Sequence, residues 1–137
     1  MKYILIILLF FSFSCKTSPS SISIAFYNVE NLFDTEDDPK IDDSYYLPSS
    51  PIKWDVEKYN KKLNDLAFVI SQLADNEIPQ FIGLCEVENL KVVKDLANQE
   101  KLKAGNFGIV HYDSEDERGI DVAFLYNKTI FSVKETK

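Results

Sequence analysis

Apolar and polar positions alternate over residues 22–29. Ile22, Ile24 and Phe26 fall on one side, Ser23, Ala25 and Tyr27 on the other. A period of two belongs to a strand with two distinct faces, and this one delivers Asn28 and Glu30 to its C-terminal end. Over residues 55–74 the period lengthens: Tyr59, Leu63, Leu66, Ala67, Ile70, Leu73 and Ala74 recur at helical spacing, with Phe68 and Val69 widening the stripe. That spacing predicts an amphipathic helix. Asp55 is placed to cap it, although Lys58 stands where a capping box carries Glu. After a turn signal at 76–79, residues 80–86 form a short apolar run, read as a buried strand from which Glu86 emerges. Asn89 is placed to cap a second helix over 90–99, with Leu90, Val93, Leu96 and Ala97 on one face. Two further strands follow, over 107–112 and 120–126, across a charged turn at 114–119. A fifth begins at Ile130 and runs to Val133. Strand, helix, strand, helix and then consecutive strands predict an α/β domain with a mixed sheet.

Residues 1–14 carry one early cation, Lys2, and an apolar run from Tyr3 to Phe11. The run is short of the roughly 20 residues that span a bilayer, and it fits the core of a secretory signal. Ser12, Phe13, Ser14 and Cys15 resemble the site at which bacterial lipoproteins are cleaved and lipidated on cysteine. The resemblance implies a signal peptide over 1–14, lipidation at Cys15, a polar tether over 15–21, and export to a bacterial cell envelope membrane. An ordinary signal peptide that happens to contain a cysteine is the alternative. The second cysteine, Cys85, lies in an apolar run and reads as a small buried hydrophobe, so the pair makes no disulfide framework.

The chain's 45% hydrophobic and 13% aromatic content suits a packed core rather than disorder. A net charge of −7 argues against a basic surface gripping nucleic acid without sequence preference. It leaves open a phosphate ester held through a metal ion, because the ion then supplies the positive charge.

Residues 31–55 show no sustained period. Asp34, Glu36, Asp37, Asp38, Asp42 and Asp43 crowd them, and Pro39, Pro48 and Pro51 interrupt them. No glycine stands where a calcium-binding helix–loop–helix needs one, so a solvated acidic loop is the reading. Loops this long in a compact domain are often functional. Glu86, at the mouth of a buried strand, needs a partner: a cationic side chain, water or a divalent ion. Glu88 reads as a solvated acid favoured by the following helix start.

Three segments, in order, resemble the endonuclease/exonuclease/phosphatase family of metal-dependent phosphoesterases. They are Ala25 to Asp34 (AFYNVENLFD), Ile82 to Asn89 (IGLCEVEN), and His111 to Ser114 (HYDS) followed by Asp116 to Ala123 (DERGIDVA). The resemblance implies the N-terminal half of a four-layer αββα sandwich over 22–137. It implies Glu86 as the principal ligand of Mg²⁺ or Mn²⁺, Asn28 as a catalytic residue positioning metal or phosphate, and Glu30 as a further acidic group near the metal. Arg118 has two readings, a contact to substrate phosphate or a salt bridge to Glu115, Asp116 or Glu117. Asp121 is a candidate to orient Arg118. His111 lies too early to match the family's catalytic histidine, which implies a structural or substrate-contact role.

The family's in-line water attack also uses an Asp-x-Asn strand and a Ser-Asp-His segment, and neither has a counterpart before Lys137. The implied function is therefore that of a nuclease or phosphatase lacking catalysis on its own. One alternative is a split enzyme completed by a C-terminal half on another chain. Another is a non-enzymatic surface lipoprotein. Substrates implied by the resemblance are phosphate esters, nucleic acid among them.

Overall fold

A computed structural model describes residues 21–75 and 77–136. The readings of 1–14 as a signal peptide and of Cys15 as a lipidated residue lie outside these residues. The fold is α/β, with a four-stranded mixed sheet and two helices, consistent with a partial sandwich. The elements are β1 (Ile24–Leu32), α1 (Val56–Ile70), β2 (Phe81–Val87), α2 (Leu90–Ala97), β3 (Phe107–Tyr112) and β4 (Asp121–Asn127). Among the described residues no helix is long and apolar enough to cross a membrane.

Strand order is β1-β2-β4-β3. β1 and β2 are parallel, which requires a crossover, and α1 supplies it. β4 runs antiparallel to both β2 and β3, so the C-terminal ends of β1, β2 and β3 and the start of β4 share one end of the sheet.

Both expected helix caps form. Asp55 accepts from the Lys58 amide at 3.0 Å, and Asn89 accepts from the Val92 amide at 3.0 Å. Each bond satisfies one of the orphan amides of a first turn. α1 buries Tyr59, Leu63, Leu66, Ala67 and Ile70, and α2 buries Val92, Val93 and Leu96. They cover one face of the sheet, whose core members include Val29, Ile82, Leu84, Ala123 and Leu125. A fully buried aliphatic side chain of this kind contributes roughly 1.5–3 kcal/mol. α1 ends at Ile70, short of the sequence boundary, where the Ser71 hydroxyl donates to the Phe68 carbonyl at 2.8 Å.

The apolar side of β1 is not its covered side. Ile24 and Phe26 are 75% and 66% exposed, while Tyr27 and Val29 face the helices. Ile24 pairs in register with Phe81 and Phe81 with Tyr126, and Phe26, Gly83 and Phe124 align in the same way. One whole face of the sheet is therefore apolar and uncovered over much of its area among the described residues. Cys85, expected to be buried, lies partly exposed on that face.

Residues 130–133 form no strand, contrary to the sequence reading. Beyond β4 the amides of Ile130 and Phe131 both bond back to the Asn127 carbonyl, closing a turn. The turn sends the chain onto the open face instead of a sheet edge, and Phe131 packs edge-on against Phe81, ring centroids 5.0 Å apart.

Candidate functional site

The sheet end where β1, β2 and β3 finish collects the chemistry-bearing residues. Two irregularities shape it. Pairing between β1 and β2 shifts between Asn28 and Leu32, and pairing between β2 and β4 shifts between Cys85 and Val87. Glu30, Asn31 and Glu86 lie in these bulges with φ of 54°, 60° and 65°. Left-handed backbone is costly for residues with a Cβ, and three such residues on adjacent strands mark a place where local strain is held by its surroundings.

The restraints are visible. Glu86 Oε1 accepts from Asn28 Nδ2 at 2.9 Å, and Oε2 accepts from the Asn31 amide at 3.1 Å. Asn28 Oδ1 in turn accepts from the Glu30 amide at 2.7 Å. From α1, Lys62 Nζ donates to the carbonyls of Glu30 and Asn31. Burial pulls the Lys62 ammonium below its ordinary value, while Glu30 and Glu86 act in the opposite direction. The structure thus brings Asn28, Glu30 and Glu86 together. Lys62 and the Asn31 amide carry no sequence signal, since one is a helix-face lysine and the other a backbone group.

Loop residues 33–55 close over this end. Phe33 and Tyr46 stack at 4.2 Å, Trp54 meets Tyr46 edge-on, and Trp54 Nε1 donates to the Phe33 carbonyl at 3.1 Å. The Tyr46 phenol is raised by burial first, then by Tyr45 and by Glu86. A groove of about 380 Å³ runs between β1 and α1, with Asn28 and Glu30 on its wall and Lys58, Lys61 and Lys62 along it.

The acidic loop is solvated only in part. Asp34 and Asp43 are buried, and so is Glu88, against expectation. Glu88 turns inward beyond the bulge at Glu86, and its Oε2 accepts from the Asp34 amide at 2.7 Å. Burial pushes its carboxyl up to about 7, helped by Asp34 and Asp43 and opposed by the Asp34 amide and Lys91.

Arg118 sits on the turn between β3 and β4, and its fork holds Asp116 through Nε at 3.0 Å and Nη2 at 2.7 Å. Those bonds from Arg118 lower the Asp116 carboxyl to about 2. Arg118 is itself raised by Asp116 and, less, by Glu86. Asp121 does not orient Arg118. Its Oδ2 meets His111 Nε2 at 2.9 Å, and its Oδ1 accepts from the Ser114 amide at 2.7 Å. Asp121 stands opposite Val87 across the bulge, facing the helices, while Arg118 lies out on the turn.

Glu86 offers a carboxylate held by Asn28 and the Asn31 amide, while Glu30 meets Asn28 through its backbone amide and lines the β1–α1 groove with its side chain. A carboxylate oxygen donor such as Glu86 is of the kind that suits a hard divalent cation that keeps several waters. Neither the curated proteins nor the solved structures yield a match to this chain. The family model described as the endonuclease/exonuclease/phosphatase family matches residues 23–137. That span takes in every strand and helix of the fold together with the Glu86 rim, and the chain belongs to the endonuclease/exonuclease/phosphatase family.

Proposed function

We propose that this chain carries the metal- and phosphate-binding rim of a divalent-metal-dependent phosphoesterase, a nuclease or phosphatase. The observation that carries the reading is the Glu86 carboxylate, pinned by Asn28 and the Asn31 amide in left-handed backbone. Membership of the family adds the reaction class, hydrolysis of a phosphate ester.

In this reading Glu86 is the principal metal ligand and Glu30 a further one. A divalent cation bound there would supply positive charge to the phosphate ester. The chain's own residues do the positioning. Asn28 fixes the Glu86 carboxylate and is itself fixed by the Glu30 amide, so that neither oxygen has to reorganise when substrate arrives. Lys62 locks the β1 bulge from behind. Arg118 exchanges its Asp116 partner for paired phosphate oxygens. The lysines along the β1–α1 groove offset the acidic balance on the side where an anionic ester approaches.

In this reading a polypeptide segment that covers the open apolar face supplies the general base and the charge-stabilising Asp–Asn pair. Support for this is the area of that face, with Ile24, Phe26, Val122 and Phe124 all exposed. Residues 15–21 tether the domain to the envelope membrane through Cys15, on the sequence signal alone.

The test is hydrolysis of bis-(p-nitrophenyl) phosphate and of DNA with Mg²⁺ or Mn²⁺. The chain alone is expected to give background rates. Addition of a polypeptide bearing Asp-x-Asn and Ser-Asp-His segments is expected to restore turnover, and Glu86→Ala to abolish it. Turnover by the chain alone that Glu86→Ala removes overturns the need for a complement. Restored turnover indifferent to Glu86→Ala overturns the site.

A further inference from the structure

His111 is the single histidine of the chain, and it takes no part in the Glu86 arrangement. It stands near the end of β3, with its side chain only 6% exposed, beside Asp121 at 5%. The two meet through Nε2 and Oδ2 at 2.9 Å. Asp121 already accepts the Ser114 amide on its other oxygen, so it serves as an acceptor on both sides. A carboxylate that accepts from Nε2–H leaves the lone pair on Nδ1.

That lone pair faces a second carboxylate. Asp113 Oδ1 lies 3.9 Å from Nδ1, beyond hydrogen-bond reach. A lone pair and a carboxylate oxygen at this separation both favour a positive charge between them. The gap is close to what a metal ion needs, and the exposed Asp113 side chain can swing in to close it. Bonds of about 2.1 Å to a tetrahedral ion set two ligand atoms about 3.4 Å apart. Ligand atoms of His111, Asp113 and Asp121 all fall within 4.8 Å of one another. A histidine whose far nitrogen is held by a buried carboxylate is also the usual form of a metal-binding imidazole, because the outer partner fixes tautomer and ring orientation.

We propose that His111 Nδ1 and Asp113 form a second divalent-cation site, oriented from behind by Asp121 and completed by water. One nitrogen ligand selects a borderline cation of the Zn²⁺ type over Mg²⁺, which prefers oxygen alone. Asp113 is 95% exposed, which leaves the remaining coordination positions to solvent. The site lies where β3 gives way to the turn that carries Arg118, and a bound ion clamps that turn to the sheet. The same turn carries Glu115 and Glu117, and its Arg118 is engaged by Asp116.

Because the chain has one histidine, its ring can be watched without ambiguity. The experiment is a ZnCl₂ titration of the uniformly ¹⁵N-labelled folded chain, following the two imidazole nitrogens, with MgCl₂ in parallel. Zn²⁺ is expected to move Nδ1 with one-to-one saturation, and Mg²⁺ to leave it in place. The response is expected to persist in Glu86→Gln. Asp113→Asn, at an exposed position that does not threaten folding, is expected to weaken Zn²⁺ binding about tenfold or more. Any of three results overturns the proposal: a ring unmoved by Zn²⁺, equal affinity in Asp113→Asn, or loss of the response in Glu86→Gln. A ring that stays doubly protonated throughout assigns the gap to a proton and overturns it as well.

Discussion

Asn28 and Glu86 are joined by a 2.9 Å hydrogen bond although strand register pairs Asn28 with Cys85. The extra residue in β2 makes this possible. With φ at +65°, Glu86 leaves the pleat and returns its carboxylate to the neighbouring strand. Placing a non-glycine residue there costs on the order of 1–3 kcal/mol, and a fold keeps such a cost where a side chain must be aimed.

Asn28→Ala is expected to release one Glu86 oxygen and leave the bulge otherwise held by the Asn31 amide and Lys62. Mn²⁺ affinity should fall by about tenfold, as when outer partners of metal ligands are removed, with little change in melting temperature. Isothermal titration and a thermal melt on the same sample check both halves.

Much of this arrangement was legible in the residues. The period of two before Asn28, the apolar run before Glu86 and the caps Asp55 and Asn89 all fix elements locally, because backbone pattern and capping chemistry are short-range. What escaped depends on geometry between segments. Nothing near Glu88 in sequence shows that a bulge two residues earlier turns it inward to the Asp34 amide. The His111–Asp121 pair depends on β3 and β4 being neighbours, and their antiparallel pairing places the two residues two rungs apart at one sheet end. Ile24 and Phe26 gave the right period for β1 but not which face the helices would cover. Residues 130–133 had strand-like content, yet the turn at Asn127 takes them across the open face.

Glu88 makes stability depend on pH. Its folded-state value of about 7 lies above the ordinary 4.5, so the folded chain holds this proton more tightly than the unfolded one. The contribution is fully favourable below about pH 4.5, declines as pH rises, and is lost above about 7. Glu88→Gln keeps an acceptor for the Asp34 amide and removes the buried charge. In chelator-treated protein it is expected to match wild type at pH 4 and to melt several degrees higher at pH 8. Equal melting curves at pH 8 contradict the burial cause.

Gly119 adopts φ +65° in the turn that carries Arg118, and a Cβ there would come within 2.3 Å of Ile41 Cδ1. Gly119→Ala combines an unfavourable backbone conformation with a clash against the 33–55 loop. Loss of about 1–3 kcal/mol by urea unfolding is expected. Ile41→Ala in the same background should recover part of the steric component but none of the backbone component.

The open sheet face should make the isolated chain sticky. Phe26 and Phe124 flank Gly83 in register, both substantially exposed. Replacing both by Ser is expected to reduce self-association and binding of an apolar dye, with the melting temperature nearly unchanged because neither ring is in the helix-covered core. Sedimentation velocity before and after the substitution gives the answer.

The most direct measurement is Mn²⁺ binding to the folded chain by electron paramagnetic resonance, wild type against Glu86→Gln. Glu86→Gln removes the ligand charge and keeps one acceptor oxygen, for Asn28 or for the Asn31 amide, and a thermal melt of the same sample checks that the fold persists. The account expects one bound Mn²⁺ in wild type, displaced by excess Mg²⁺, and an affinity at least about tenfold weaker in Glu86→Gln. Equal Mn²⁺ affinity in the two proteins would contradict the assignment of this rim as the metal site.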